Sequence, residues 1–134
     1  MDKLRKFVQG MIIMLGFQFL FGMAFNLWGV LPKEETATEK SPAFAQMALA
    51  AHGLLALGIL TVSLLILGIA FNGKKEDVKK FSILGFISIL VAFGGGVMTL
   101  IINPEQAQIA SFIMSLGFLS SFISYGRLFY ILKK

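Results

Sequence analysis

The sequence predicts an all-α membrane protein, a four-transmembrane-helix antiparallel bundle formed by one integral domain over residues 1–134. Two observations on composition support this class. Hydrophobic residues make up 57% of the chain and charged residues only 14%, whereas a soluble domain carries about 25% charged residues. In addition, four apolar stretches are each long enough for the roughly 20 residues with which a helix crosses the hydrocarbon core.

The predicted transmembrane helices cover residues 7–31, 43–71, 81–102 and 109–130. Every Asp and Glu falls in a connection or near the N-terminus, so no carboxylate lies inside a predicted span. The connections are short, which favours antiparallel packing of consecutive helices. The first apolar stretch is too long for a signal peptide and no cleavage pattern follows it, so we expect it to be retained as a helix.

The distribution of Lys and Arg predicts the orientation. With four crossings, the N-terminal tail, the second connection and the C-terminal end share one side of the membrane and hold ten cations, whereas the first connection holds only Lys33 and Lys40. Flanking cations concentrate on the cytoplasmic side, so both termini are predicted to be cytoplasmic in a multi-pass protein of the cell membrane. The net charge of +5 is then an orientation signal, and no nucleic-acid partner is expected. Tyr125 and Tyr130, on either side of Arg127, are expected at the inner membrane interface.

Small and polar residues recur at steps of three or four within each span, which keeps most of them on one helical face. In lipid, helices associate through close packing of small residues and through interhelical hydrogen bonds. These faces therefore predict helix-packing seams, or a polar pocket between the helices. The candidate residues are Gln18, Gly22, Asn26, His52, Ser88, Gly95, Thr99, Ser111 and Ser115.

His52 is the only histidine and lies within the apolar stretch "QMALAAHGLLALGIL". A buried imidazole needs a hydrogen-bond partner, and Asn26 or a Ser or Thr hydroxyl is the partner we expect. The alternative is a cofactor-binding role for His52, because an intramembrane histidine with a methionine or a second chain's histidine can bind haem or a metal. Candidate methionines at a similar depth are Met23, Met47, Met98 and Met114. Since no second histidine or paired ligand spacing is present, no metal site is predicted, and haem is kept only as an alternative.

No catalytic residues are predicted, and we expect the protein not to be an enzyme. The chain has no Cys and no nucleotide-binding or metalloprotease motif, and no carboxylate lies near His52 to orient it as a catalytic base. A coupled carrier normally needs an ionisable group within the membrane, and only His52 lies at such a depth, so antiport through an intramembrane carboxylate is disfavoured. A small oligomeric channel or transporter is kept as a second alternative. The favoured interpretation is a non-catalytic structural or accessory subunit of a homo- or hetero-oligomeric membrane complex. Its expected partners are the lipid bilayer and other membrane subunits or copies of itself.

Overall fold

The fold is described for residues 2–28, 42–101 and 104–133 in a computed structural model of the chain. The described residues form four helices, which are α1 (Asp2–Trp28), α2 (Ala43–Phe71), α3 (Glu76–Ile101) and α4 (Pro104–Lys133). Each is long and apolar enough to cross a membrane. With a rise of about 1.5 Å per residue, helices of 26 to 30 residues exceed the roughly 30 Å of the hydrocarbon core. The predicted all-helical class with four candidate spans is confirmed, and it suggests a multi-pass membrane protein.

The helix bounds differ from the predicted ones at several ends, although α2 has the predicted range. α1 begins at Asp2, α3 at Glu76 and α4 at Pro104, and each of these starts precedes the apolar stretch by five residues. The apolar stretch marks only the part of a helix that lies in hydrocarbon, whereas the backbone hydrogen bonds continue into the charged flanks. At the start of α3, Glu76 and Lys79 form an ion pair of 2.9 Å, which favours helix in the first turn. The predicted helical residues 29–31 and 102 lie outside the described residues.

Each helix contacts two others. The α3–α4 interface is the most extensive, followed by α1–α2, and then by α2–α3 and α1–α4. Within the described ranges, the backbones of α1 and α3, and those of α2 and α4, do not come close to each other. The core lies between the four helices and is formed by residues at three- and four-residue steps, among them Leu4, Val8, Met11, Leu15, Ile59, Ile66, Ile89 and Leu128.

The outer surface of the molecule is apolar. Leu54 and Met47 are each 72% exposed and Phe112 is 62% exposed, and many other large apolar side chains are exposed as well. An apolar surface of this extent is rare on soluble monomers. It is the surface that four lipid-facing helices require.

Candidate functional site

The side chain of His52 in α2 is hydrogen-bonded to a single residue of α1. His52 Nδ1 lies 3.1 Å from the main-chain oxygen of Gln18, and His52 Nε2 lies 3.0 Å from the Gln18 side-chain Nε2. A carbonyl oxygen only accepts and an amide NH₂ only donates. Nδ1 therefore carries the proton and donates to the carbonyl, whereas Nε2 accepts from the amide. The imidazole is neutral in this arrangement, and both of its nitrogens are used.

Gly22, one turn after Gln18, provides the space for the ring. A Cβ atom at this position would lie 3.1 Å from His52 Cε1 and 3.3 Å from Nδ1, so any side chain would press on the imidazole. Further along the same interface, a Cβ at Gly58 would lie 3.1 Å from the Met14 methyl group. The α1–α2 contact thus combines a polar pair with glycines on both helices.

The hydrogen bonds of His52 bear directly on the alternative role as a cofactor ligand. A metal or haem iron binds the lone pair of a ring nitrogen, and the lone pair on Nε2 already accepts from Gln18. A ligand role would require Gln18 to be displaced. Among the candidate methionines, Met23, Met47 and Met98 are 41%, 72% and 50% exposed. The described residues contain no group of three or more His, Asp or Glu side chains that could hold a metal ion.

The other predicted residues with described side chains lie on α3 and α4. Gly95 is buried, and a Cβ there would lie 2.7 Å from the Met114 nitrogen and 2.8 Å from the Ala110 oxygen. Three of the four predicted hydroxyl groups donate to carbonyl oxygens of their own helices. Ser88 donates to Leu84 O (2.7 Å), Thr99 to Gly96 O (2.6 Å) and Ser115 to Ser111 O (2.9 Å).

The structure does not bring the predicted polar residues together in one pocket. It joins Gln18, Gly22 and His52, and it places Gly95 separately against α4. Among the described side chains, Gln18 is the partner of His52, a pairing that the sequence did not predict. The side chain of Asn26 lies outside the described residues.

Tyr125 is the residue whose role the sequence interpretation missed. Its ring is fully buried between the helices, whereas Tyr130 is 50% exposed. The level of both rings at the membrane interface stays a prediction. The Tyr125 ring packs on Gly85 of α3, where a Cβ would lie 2.7 Å from Tyr125 Cζ. The recurrence of small residues on α3, from Gly85 to Gly94, Gly95 and Gly96, was the available signal. A glycine position alone does not identify the side chain that packs on it.

Gly117 was also missed as a candidate site residue. A Cβ at Gly117 would lie 2.6 Å from the Ala92 nitrogen and 2.8 Å from the Ser88 oxygen. Gly95 therefore lets α3 pack closely on the backbone of α4, and Gly117 lets α4 pack closely on the backbone of α3.

Two fully buried polar atoms lack a hydrogen-bond partner within the described residues. They are the Gln18 side-chain oxygen and the Tyr125 hydroxyl. The Ser63 side chain of α2 interacts with the Tyr125 hydroxyl, but the two groups do not meet hydrogen-bond geometry, and Ser63 donates its proton to Leu60 O at 2.7 Å. An unpaired buried polar group destabilises a fold. Removing either group by substitution should therefore change the free energy of unfolding in a predictable direction.

Comparison of the chain with protein-family models, curated proteins and solved structures finds no match.

Proposed function

We propose that the protein is a small integral membrane subunit without catalytic activity, which packs against copies of itself or other membrane proteins. The observation that carries the proposal is the hydrogen bonding of His52, the only histidine of the chain, which lies within an apolar stretch. His52 is neutral and fully hydrogen-bonded to Gln18, so it acts between helices and not as an acid, base or ligand. All seven carboxylates lie outside the apolar stretches.

The helices are proposed to be antiparallel, with both termini on the cytoplasmic side of the cell membrane. The residue pairs in contact support the antiparallel arrangement, because earlier residues of one helix meet later residues of the next. Gln18 meets His52 and the earlier residue Met14 meets the later residue Gly58. Likewise Gly95 meets Ala110, whereas Ser88 meets Gly117. The excess of Lys and Arg at the two termini and in the second connection supports the orientation.

The orientation is testable because the chain has no Cys. A membrane-impermeant maleimide applied to intact cells should label a Lys40→Cys variant and leave a Lys75→Cys variant unlabelled. After the cells are permeabilised, both should react. Labelling of Lys75→Cys in intact cells would overturn the proposed topology.

One exposed face of α2 supports a role in association. It consists of the exposed residues Ala50, Gly53, Leu57, Thr61, Leu64 and Gly68, which follow at steps of three or four and so share one side of the helix. A Cβ at Gly53 or Gly68 would meet nothing within 4 Å. Small residues let a second helix approach closely in lipid, whereas contact with lipid alone does not require them.

Measurement of the particle mass after mild detergent extraction tests the role. The native protein should be larger than a monomer or co-purify with other membrane proteins. The double variant Gly53→Leu and Gly68→Leu should lose that association. A Leu90→Phe variant adds bulk to an exposed position of α3 (45% exposed) and should keep it. A strictly monomeric native protein that co-purifies with nothing would contradict the proposal.

The haem alternative makes a separate prediction. A haem protein would show a Soret band that disappears in a folded His52→Ala variant. The proposed role predicts a colourless preparation, with His52→Ala changing only stability. The channel alternative predicts ion flux in reconstituted vesicles that changes when His52 is substituted.

A further inference from the structure

A groove lies where α3 begins and α4 ends. It is an open surface groove of about 510 Å³, lined by Lys75, Glu76, Asp77, Arg127, Tyr130 and Ile131. The lining combines two cations, two carboxylates, an aromatic ring and an aliphatic side chain.

The charge of the groove differs from that of its surroundings. The end of the molecule that contains it is strongly positive, because the described parts of the N-terminal tail, the second connection and the end of α4 carry nine Lys and Arg residues against three carboxylates. Within the groove the cations and carboxylates are equal in number. A purely anionic ligand would meet repulsion from Glu76 and Asp77 there, whereas a ligand that carries both charges would not.

The contacts within the lining show which charges remain for a ligand. The Glu76 carboxylate is directed to Lys79 Nζ, 2.9 Å away, so Asp77 is the carboxylate that is left to face a ligand. The Arg127 guanidinium lies over the Tyr130 ring, 5.6 Å from its centroid, and is exposed. Arg127 and Lys75 therefore provide the cations of the groove and Asp77 provides its carboxylate.

The position of the groove indicates the kind of ligand that reaches it. Arg127 and Tyr130 lie in the last two turns of α4, the most C-terminal of the four candidate spans, and such residues usually lie at the level of the lipid headgroups. Guanidinium and ammonium groups bind phosphate oxygens, and a carboxylate accepts hydrogen bonds from a primary ammonium group. Ile131 supplies an apolar surface for the start of an acyl chain.

We propose that this groove binds the headgroup of phosphatidylethanolamine, with the phosphate at Lys75 and Arg127 and the ammonium group at Asp77. Phosphatidylglycerol has the phosphate but no cation for Asp77. Phosphatidylcholine has a quaternary ammonium group that has no N–H to donate. The proposal rests on the membrane location of the four helices and is independent of the proposed accessory role.

Native mass spectrometry in a mild detergent tests the selectivity. The full chain is mixed with equal amounts of phosphatidylethanolamine, phosphatidylglycerol and phosphatidylcholine that have identical acyl chains. The native protein should retain phosphatidylethanolamine most strongly. Asp77→Asn should lower the ratio of bound phosphatidylethanolamine to phosphatidylglycerol by roughly two- to fivefold, the range expected for one exposed charge pair. Arg127→Gln should lower the retention of all three lipids.

Two matched controls distinguish the groove from the positive end as a whole. Asp2→Asn removes a carboxylate and Lys80→Ala removes a cation at the same end but outside the lining, so neither should change the ratio. Circular dichroism checks that every variant stays helical. Equal or stronger retention of phosphatidylglycerol by the native protein, or an equal change of the ratio in Asp2→Asn and Asp77→Asn, would overturn the proposal. A strictly monomeric protein would contradict only the accessory role, and the lipid ratios would be unaffected by it.

Discussion

The α1–α2 and α3–α4 interfaces hold their helices together in different ways. Between α1 and α2, the Gln18 amide and carbonyl bind the two nitrogens of His52 at 3.0 and 3.1 Å. Between α3 and α4, main-chain atoms approach each other directly at Gly95 and Gly117. One interface depends on polar side chains and the other on the absence of side chains.

The difference follows from the solvent. Lipid provides no hydrophobic drive for two apolar helices to associate, so van der Waals packing and interhelical hydrogen bonds replace it. The glycine contact offers no room for adjustment, because its neighbours are backbone atoms. The polar contact is more tolerant, because the neighbours are side chains that can rotate. Substitutions should therefore have larger effects at the α3–α4 interface.

The largest effect is expected at Gly117. In Gly117→Ala the new Cβ would lie 2.6 Å from the Ala92 nitrogen, so the two helices must separate, which costs about 1–3 kcal/mol by analogy with overpacked cores. The free energy of unfolding is measured by SDS titration in mixed micelles with circular dichroism. Gly126→Ala is the matched control, because a Cβ there meets nothing within 4 Å, and its effect should stay within about 0.5 kcal/mol. Equal effects of the two variants would show that the close backbone approach is not what stabilises this interface.

The next effect concerns the Tyr125 hydroxyl, which is buried at the same interface without a hydrogen-bond partner. Tyr125→Phe keeps the ring on Gly85 and removes the unpaired group, so the free energy of unfolding should rise by up to about 1 kcal/mol. Tyr125→Leu removes the ring and should destabilise the protein. The same titration measures both variants. A clear loss of stability in Tyr125→Phe would mean that the hydroxyl has a partner after all.

A smaller effect is expected for the polar pair of α1 and α2. A double-mutant cycle of Gln18→Leu and His52→Ala should give a coupling energy of about 0.6 kcal/mol, the average for such hydrogen bonds in membranes. Each single variant leaves one partner unpaired, so the double variant should lose less free energy of unfolding than the two single variants added together. Gln18→Leu with Ser88→Ala serves as the control cycle, because Ser88 bonds only within α3. Its coupling should stay within about 0.5 kcal/mol of zero. No difference between the two cycles would contradict a direct bond between Gln18 and His52.

The smallest effect is expected at Gly22, where the neighbour is the movable ring of His52 rather than backbone. Gly22→Ala places a Cβ 3.1 Å from Cε1, so a ring shift of a few tenths of an ångström should accommodate it, at a cost of no more than about 0.5 kcal/mol, the lower limit for a strained rotamer. In a His52→Ala background the same substitution should become neutral, and SDS titration of both backgrounds checks this. If Gly22→Ala still lowered the free energy of unfolding in the His52→Ala background, the new Cβ would be in conflict with a group other than the imidazole.

Part of the candidate site was accessible from the sequence. A single histidine in an apolar span marks an interhelical contact in any arrangement of the helices, because its nitrogens need partners. Gln18, Gly22 and Gly95 could also be predicted from the sequence, because each belongs to a helical face of small or polar residues. The pairing of Gln18 with His52 was not, since several polar residues lay at plausible depths and the choice depends on how α1 is rotated against α2.

The sequence alone determined the class of the protein and its number of candidate spans, because hydrocarbon demands about 20 consecutive apolar residues whatever the tertiary arrangement. Only the tertiary structure decided which face of each helix meets its neighbour. Helical periodicity shows that small residues share a side, but in lipid both the packed side and the exposed side are apolar, so periodicity does not say which one is buried. Tyr125 illustrates the limit. Its burial on Gly85 depends on the mutual rotation and axial shift of α3 and α4, which are set by the contacts of both helices together.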